Sequence, residues 1–167
     1  IYNFGSGAVN ITAKTGGNNI VIAGGNQAVA ITTAGGDLTF GTSDVILHND
    51  AATTITTGGG AVNFGSSNTA IKLESDGGDN DSLTISSGAG DVLFSGTIGV
   101  THEIGGLDVN DNTTVSGDIS FLNNIGSDSQ PGIVGITKIG GTATDNIKLS
   151  GTLYSFNGAT TITTESG

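Results

Sequence analysis

Apolar residues recur along the chain in pairs that are separated by one polar or small residue. The pairs are Val9/Ile11, Ile20/Ile22, Val29/Ile31, Leu38/Phe40, Val45/Leu47, Val62/Phe64, Ile71/Leu73, Leu83/Ile85, Val92/Phe94, Ile98/Val100, Leu107/Val109, Ile119/Phe121, Ile147/Leu149 and Tyr154/Phe156. Side chains two residues apart point to the same face of a strand, so each pair predicts a short, half-buried β-strand. Steps such as Gly-Gly and Asn-Asn separate the pairs and suit tight turns. Strong helix formers are scarce, so we expect an all-β protein.

A longer repeat overlies this alternation. ITTAGGDLTFG spans Ile31 to Gly41, and ITTGGGAVNFG spans Ile55 to Gly65, so the same phrase is written twice. Two series of apolar residues continue it with a unit of roughly 25–30 residues, a length typical of solenoid repeats. The series are Phe40, Phe64, Phe94, Phe121 and Phe156, and Ile31, Ile55, Ile85, Val115 and Ile147.

Two architectures fit many short strands joined by turns. One is an antiparallel β-sandwich or barrel, and the other is a parallel β-helix in which every coil stacks on the coil before it. Stacked coils explain why one phrase recurs in the same order, because equivalent residues then pack on each other. The sequence therefore favours a β-helix (solenoid) of about six or seven coils, ~30 Å long at a strand spacing of ~4.8 Å. The antiparallel β-sandwich is the alternative.

The repeat also bears on domain organisation. We expect residues 1–167 to form a single β-solenoid segment, and we expect that segment to be a fragment of a longer repetitive rod, because nothing in its sequence resembles a capping helix. The stretch from Asn123 to Gly141 holds the only proline and interrupts the phrase. An irregular coil or a side loop is therefore expected at about 123–141.

Charge narrows the range of partners. Fifteen acidic residues face four lysines and no arginine, which gives a formal net charge of −11. Such a surface repels phosphate backbones and anionic lipids, so we expect neither nucleic acid nor membrane as a partner. No apolar run reaches the roughly 18 residues that a membrane-spanning helix needs, so no membrane insertion is expected in this segment.

Two further phrases resemble a known family. GDVLFSGTIG (Gly90 to Gly99) and SGDISFLNNIG (Ser116 to Gly126) are similar to the rod repeats of filamentous haemagglutinin-type giant bacterial adhesins. The resemblance covers most of the chain. It implies a right-handed parallel β-helix, export to the bacterial cell surface, and a rod that projects adhesive or toxic tips.

The densest acidic cluster is ESDGGDNDSL, which contains Glu74, Asp76, Asp79 and Asp81. It resembles the calcium-binding nonapeptide of repeats-in-toxin proteins, although acidic residues replace two of its glycines and only one copy is visible. Carboxylates on a turn can hold a hard cation, so these four residues are the candidate calcium ligands. A solvated acidic turn is the alternative. DVNDN (Asp108 to Asn112) is a weaker version of the same pattern.

Catalytic patterns are sparse. His48 and His102 are the only histidines, no cysteine nucleophile exists, and no G-x-S-x-G motif is present, so both histidines are expected on surface turns. Glycoside hydrolysis needs two positioned carboxylates. Asp37, Asp91 and Asp118 each follow a glycine and could stack into an acidic row, but aspartate is also a good turn residue. We expect the chain not to be an enzyme.

These observations favour a structural rod or stalk segment of a bacterial cell-surface or extracellular fibre, adhesin-like in kind. Its partners would be neighbouring repeats of the same fibre, through end-to-end or lateral self-association, and a host or cell-surface glycan or protein. The first alternative is a calcium-binding repeat module of a secreted protein, and the second is a carbohydrate-active β-helix enzyme. No other cofactor is expected.

Overall fold

The computed structural model describes residues 1–13, 19–25, 27–48, 52–77, 81–111 and 117–164, and these residues form β-strands and no helix. The strands are β1 Tyr2–Asn3, β2 Val9–Ile11, β3 Ile20–Ala23, β4 Val29–Thr32, β5 Leu38–Phe40, β6 Val45–His48, β7 Thr53–Thr56, β8 Val62–Phe64, β9 Leu73–Ser75, β10 Ser82–Ser86, β11 Val92–Phe94, β12 Gly106–Val109, β13 Ile119–Phe121, β14 Thr137–Ile139, β15 Ile147–Leu149 and β16 Thr160–Ile162. The all-β prediction is confirmed.

The strands assemble into three parallel sheets that run along one axis. The first sheet has the order β1-β4-β7-β10-β12-β14-β16, the second β2-β5-β8-β11-β13-β15, and the third β3-β6-β9. Strands adjacent in a sheet come from successive turns of the chain and pair in parallel, as β4 does with β7 and β5 with β8. This topology is the predicted parallel β-solenoid and not the antiparallel β-sandwich.

The solenoid makes about five complete turns, which the six strands of the second sheet delimit, and β1 and β16 add part of a turn at either end. The count is slightly lower than the six or seven coils expected. Beyond β9 the third sheet narrows to single bridges, which link Leu73 to Ile98, Ile98 to Ile125, and Ile125 to Tyr154. Turns with a short third side therefore still stack in register.

A column of aromatic rings occupies the core beside the second sheet. The rings of Phe40, Phe64, Phe94 and Phe121 stack with centroid separations of 4.8, 5.0 and 4.9 Å, and all four side chains are fully buried. The prediction that Phe156 continues this series is wrong. Leu149 is the Cα partner of Phe121, while Phe156 bridges to Ile133 on another side of the coil.

An aliphatic column lies beside the first sheet. Ile31, Ile55 and Ile85 pair in register, as the repeated phrase predicts. The continuation through Val115 and Ile147 is wrong, because Val109 is the partner of Ile85 and Ile139 follows it. Ile147 pairs instead with Ile119 in the second sheet. Val115 lies outside the described residues.

Buried hydroxyl groups hold the corner between the first and second sheets. Thr33 Oγ1 donates to the Gly36 carbonyl at 2.5 Å, Thr57 Oγ1 donates to that of Gly60, and Ser87 Oγ donates to that of Gly90 at 2.6 Å. Thr33 and Thr57 are 24 residues apart, and Thr57 and Ser87 are 30 apart. Turns of different length therefore return to the same corner. All three residues are buried, so each hydroxyl satisfies a carbonyl that water cannot reach.

The same corner requires glycine. A Cβ added at Gly60 would lie 2.8 Å from the Asp37 nitrogen and closer still to the Gly36 carbonyl of the preceding turn. Gly90 approaches the Gly60 backbone in the same way. The repeated phrase thus encodes one turn of core together with the corner that follows it.

The segment 123–141 contributes to the core at Ile125, Ile133 and Ile139, which are fully buried. Between the first two, Ser127 and Gln130 pair in an antiparallel bridge, and the residues at this tip are exposed. Gln130 Nε2 also donates to Glu103 of the preceding turn. The segment therefore supplies buried residues to the core and also forms a short, exposed hairpin.

Candidate functional site

The acidic cluster lies at the edge of the third sheet, and Glu74 is one of its two buried members. Glu74 belongs to β9, and only 3% of its surface is exposed. Its Oε2 accepts hydrogen bonds from the backbone N–H groups of Thr101, at 3.1 Å, and His102, at 2.8 Å. Its Oε1 is buried without a hydrogen-bond partner among the described residues. Glu74 therefore anchors the next turn through one of its two carboxylate oxygens.

Asp81 is also buried, with 1% of its surface exposed. Ser75 Oγ donates to Asp81 Oδ2 at 3.1 Å, and the Asp81 carbonyl accepts from the Gly105 N–H at 2.7 Å. Ser75 stacks in register on Leu47, so a hydroxyl stands at a position that is apolar in the turn before. The carboxylate of Asp81 therefore accepts the hydrogen bond of a hydroxyl group that is buried in the core.

Asp76 lies at the outer rim of the cluster and contacts His48 of the preceding turn through Oδ2 and Nδ1. The ring of His102 covers Gly77, where a Cβ would lie 2.6 Å from its Cδ2. Both histidines are exposed, as expected, although His48 ends strand β6 and does not lie in a turn. The cluster thus places two histidines near its carboxylates.

The calcium prediction rests on these carboxylates. Asp79 lies outside the described residues. Within the described ranges, no three His, Asp or Glu side chains converge closely enough to hold a metal ion. The structure brings Glu74, Asp76 and Asp81 to one edge of the solenoid without forming a closed set of ligands among the described residues. Calcium binding therefore stays a prediction.

No protein-family model, curated protein or solved structure matches the chain. Function must therefore be argued from the arrangement of its own residues.

The predicted acidic row lies at the start of the second sheet. Asp37 Oδ1 accepts from the Ala61 N–H at 2.8 Å, and Asp91 Oδ1 accepts from the Asp118 N–H at 2.9 Å. Asp118 Oδ1 in turn accepts from Asn146 Nδ2 at 2.9 Å. Each carboxylate therefore bonds to the following turn, and Ala61 separates Asp37 from Asp91. These aspartates join neighbouring turns, which is a structural use of the residues.

The DVNDN segment places a second group of charges on the outer face of the first sheet. Lys138 Nζ bonds to Asp111 Oδ2 at 2.7 Å, and Lys138 is the Cα partner of Asp108. Burial raises the pKa of Asp108 above its ordinary value, and the charge of Asp111 raises it further. The hydrogen bond to Asp111 raises the pKa of Lys138. Asn112 lies outside the described residues.

Sequence reasoning missed Asn110, which is buried and has a positive φ of 59°. Its Oδ1 accepts from the Ser87 N–H at 2.8 Å, so it continues the corner that Thr33, Thr57 and Ser87 form. Asparagine tolerates the left-handed conformation better than most residues, and that preference is the sequence signal that could have pointed to Asn110.

The described residues include no helix with the length and apolar character that a membrane crossing needs.

Proposed function

We propose that this chain is a structural rod or stalk segment of a bacterial cell-surface or extracellular fibre, adhesin-like in kind. The observation that supports the proposal is the unbroken stacking of turns along one axis. The phenylalanine column spans four turns at 4.8 to 5.0 Å per step, and three sides of the coil pair in parallel beside it. Each turn packs on its two neighbours, so the architecture can be lengthened without a new core.

The polar side chains of the corner and of the second sheet hold the turns of the coil together, which is what a stalk requires of them. The buried hydroxyls of the corner and the aspartates of the second sheet bond within or between turns. We propose that the chain has a mechanical role and no catalytic one. Its partners would be neighbouring repeats of the same fibre and a host or cell-surface glycan or protein bound elsewhere on that fibre.

Negative-stain electron microscopy of the native protein from its source tests the proposal. The stalk role predicts thin, uniform fibres whose width matches one solenoid and whose length exceeds that of the five turns seen here. Antibodies raised against this chain should label the shaft. Compact particles would overturn the proposal.

A calcium-binding module of a secreted protein is the second candidate. The observation that favours it is Oε1 of buried Glu74, which has no hydrogen-bond partner among the described residues, since an unpaired carboxylate oxygen in the interior is costly and a cation would offset that cost. Thermal unfolding measured with calcium and with a chelator tests it. Calcium should raise the midpoint, and Glu74→Gln should abolish the difference. Equal midpoints with and without calcium would contradict this candidate.

A further inference from the structure

The outer face of the first sheet carries a groove beside the charges of the DVNDN segment. Its volume is about 380 Å³, which lies within the roughly 300–1,000 Å³ of small-molecule sites in proteins. Strands β10, β12 and β14 cross it side by side, and each of them pairs with a neighbour on both sides. The groove therefore belongs to the flank of the solenoid. Its lining includes Ser82, Thr84, Gly106, Asp108, Ile136 and Lys138.

Glycine at position 106 opens the floor of this groove. Ser82 is the Cα partner of Gly106. The Leu107 N–H donates to the Ile136 carbonyl at 3.1 Å, which sets Ile136 beside Gly106 on the other side. A Cβ at Gly106 would lie 3.2 Å from Ser82 Oγ. The absence of a side chain at Gly106 therefore leaves a depression between a hydroxyl group and an apolar side chain.

A second row across the same strands supplies polar groups. Thr84 is the Cα partner of Asp108, and Asp108 is the partner of Lys138. Lys138 Nζ bonds to Asp111 Oδ2 at 2.7 Å, and the Asp111 N–H bonds to the Asp108 carboxylate. These contacts hold a carboxylate and an ammonium group on adjacent strands, which lie ~4.8 Å apart. The row thus presents a hydroxyl, an acceptor and a donor in a fixed order.

Ile136 gives the groove an apolar wall. Its side chain is 64% exposed, so it contributes little to the core of the solenoid. Lys138 lies two residues further on and lines the same groove. An apolar surface next to hydrogen-bonding groups suits a sugar ring, which has a C–H face and a rim of hydroxyl groups.

The charges and the strand pairing indicate the class of ligand. A carboxylate only accepts hydrogen bonds and an ammonium group only donates them, whereas neighbouring sugar hydroxyls do both. Asp108 and Asp111 outweigh Lys138 in charge, which disfavours an anionic ligand such as an acidic glycan or a phosphate. A peptide that adds as a strand needs an open sheet edge, and the three strands of the groove have none.

We propose that this groove binds a neutral saccharide. Thr84, Asp108 and Lys138 hydrogen-bond to its hydroxyl groups. The C–H face of one ring packs on Ile136. The site lies on the flank of this chain, whereas the glycan or protein partner of the stalk role is bound elsewhere on the fibre. Fibres whose flank binds no saccharide would overturn this inference and leave the stalk role standing, and compact particles that bind a saccharide would do the reverse.

A glycan array probed with the labelled 167-residue chain tests the inference. The array carries neutral oligosaccharides of glucose, galactose, mannose and N-acetylhexosamines, together with sulfated oligosaccharides, uronic acid oligosaccharides and neutral peptides. The wild type should bind at least one neutral oligosaccharide and should bind the anionic oligosaccharides and the peptides less. Titration calorimetry then measures Kd for the neutral oligosaccharide that gives the strongest signal.

Two groove variants and two matched controls locate the site. Lys138 is 42% exposed and Ile136 is 64% exposed, so Lys138→Gln and Ile136→Ser should fold, and circular dichroism checks this. Lys138→Gln should weaken binding roughly tenfold or more, because it removes a charged donor. Ile136→Ser should weaken it several-fold. Lys148→Gln in the second sheet and Val21→Ser in the third change exposed side chains away from the groove and should bind as the wild type does.

Four outcomes would overturn the inference. The array could show no neutral oligosaccharide bound. The anionic oligosaccharides or the peptides could bind in preference to the neutral ones. Both groove variants could bind as tightly as the wild type. Either control could lose as much affinity as the groove variants, which would place the site elsewhere.

Discussion

The ring of Phe64 lies nearly parallel to the ring of Phe94, with 10° between their planes and 5.0 Å between their centroids. The two residues are Cα partners in adjacent strands, so the stack follows directly from the strand register. Stacked aromatic pairs contribute roughly 0.5–1.5 kcal/mol beyond the burial of their surface. One residue type at one place in the phrase therefore gives both the core and the alignment of neighbouring turns.

Replacing Phe64 by Ala should lower the free energy of unfolding by about 3–5 kcal/mol, because it empties a buried site between two rings. Phe4→Ala is the control, since Phe4 is 38% exposed at the end of the solenoid, and it should cost far less. Chemical denaturation of both variants measures the difference. Equal, small losses would show that the phenylalanine column is not buried.

Gly60→Ala should destabilise the protein by roughly 1–3 kcal/mol, because its methyl group would overlap the backbone of the preceding turn. Gly5→Ala is the control, since a Cβ at Gly5 meets nothing within 4 Å. The control should change stability by about 1 kcal/mol or less. Thermal denaturation of the two variants compares them, and a neutral Gly60→Ala would contradict the close approach of the turns.

Thr57→Val keeps the shape of the side chain and removes the hydroxyl that donates to the Gly60 carbonyl. The loss of a buried hydrogen bond should cost about 1–3 kcal/mol, because the carbonyl is left without a donor. Thr56→Val, at the half-exposed neighbouring position, should be nearly neutral. Urea unfolding of both variants tests the role of the corner, and comparable stability of the two would argue against it.

Asp108 should make stability depend on pH. Burial raises its pKa above the ordinary value of 3.8, so over the pH range just above 3.8 the folded protein retains a proton that the unfolded chain has released. The contribution of Asp108 to stability therefore becomes less favourable as the pH rises through that range. Asp108→Asn should be more stable than the wild type at neutral pH, and the gain should vanish below pH 3.8.

Unfolding curves of the wild type, Asp108→Asn and Asp128→Asn across this range provide the check. Asp128 lies exposed in the hairpin between Ser127 and Gln130, so Asp128→Asn is the control for the loss of one surface carboxylate. A variant of Asp108 that is less stable than the wild type at neutral pH would mean that the attraction of Lys138 outweighs burial.

The alternation of apolar residues carried enough information to predict the fold. Ile31 and Ile55, and Phe40 and Phe64, are Cα partners as their places in the phrase predict. The later turns were harder to align, because a core column needs an apolar side chain but not one particular type. Leu149 therefore takes the position that the search for aromatic residues gave to Phe156.

The acidic cluster shows a different limit. Its composition indicates a solvated turn, yet Glu74 is buried because the backbone at Thr101 and His102 in the next turn covers it. That cover comes from 27 and 28 residues away along the chain. Local sequence cannot reveal such a contact until the register between turns is known.

Insertion of one extra turn tests the central claim that each turn depends only on its neighbours. A second copy of residues 31–54 placed after Thr54 preserves the register at the new junction, since Ala30 and Thr54 are Cα partners. Insertion of residues 31–42 alone is the matched control, because half a turn brings the wrong faces together. Urea unfolding with small-angle X-ray scattering on both variants is the measurement. The full-turn variant should unfold in one transition with a larger m-value, and its axis should be ~4.8 Å longer. A full-turn variant that unfolds, or that leaves the insert as a loop cut by protease while the rest stays intact, would contradict the claim.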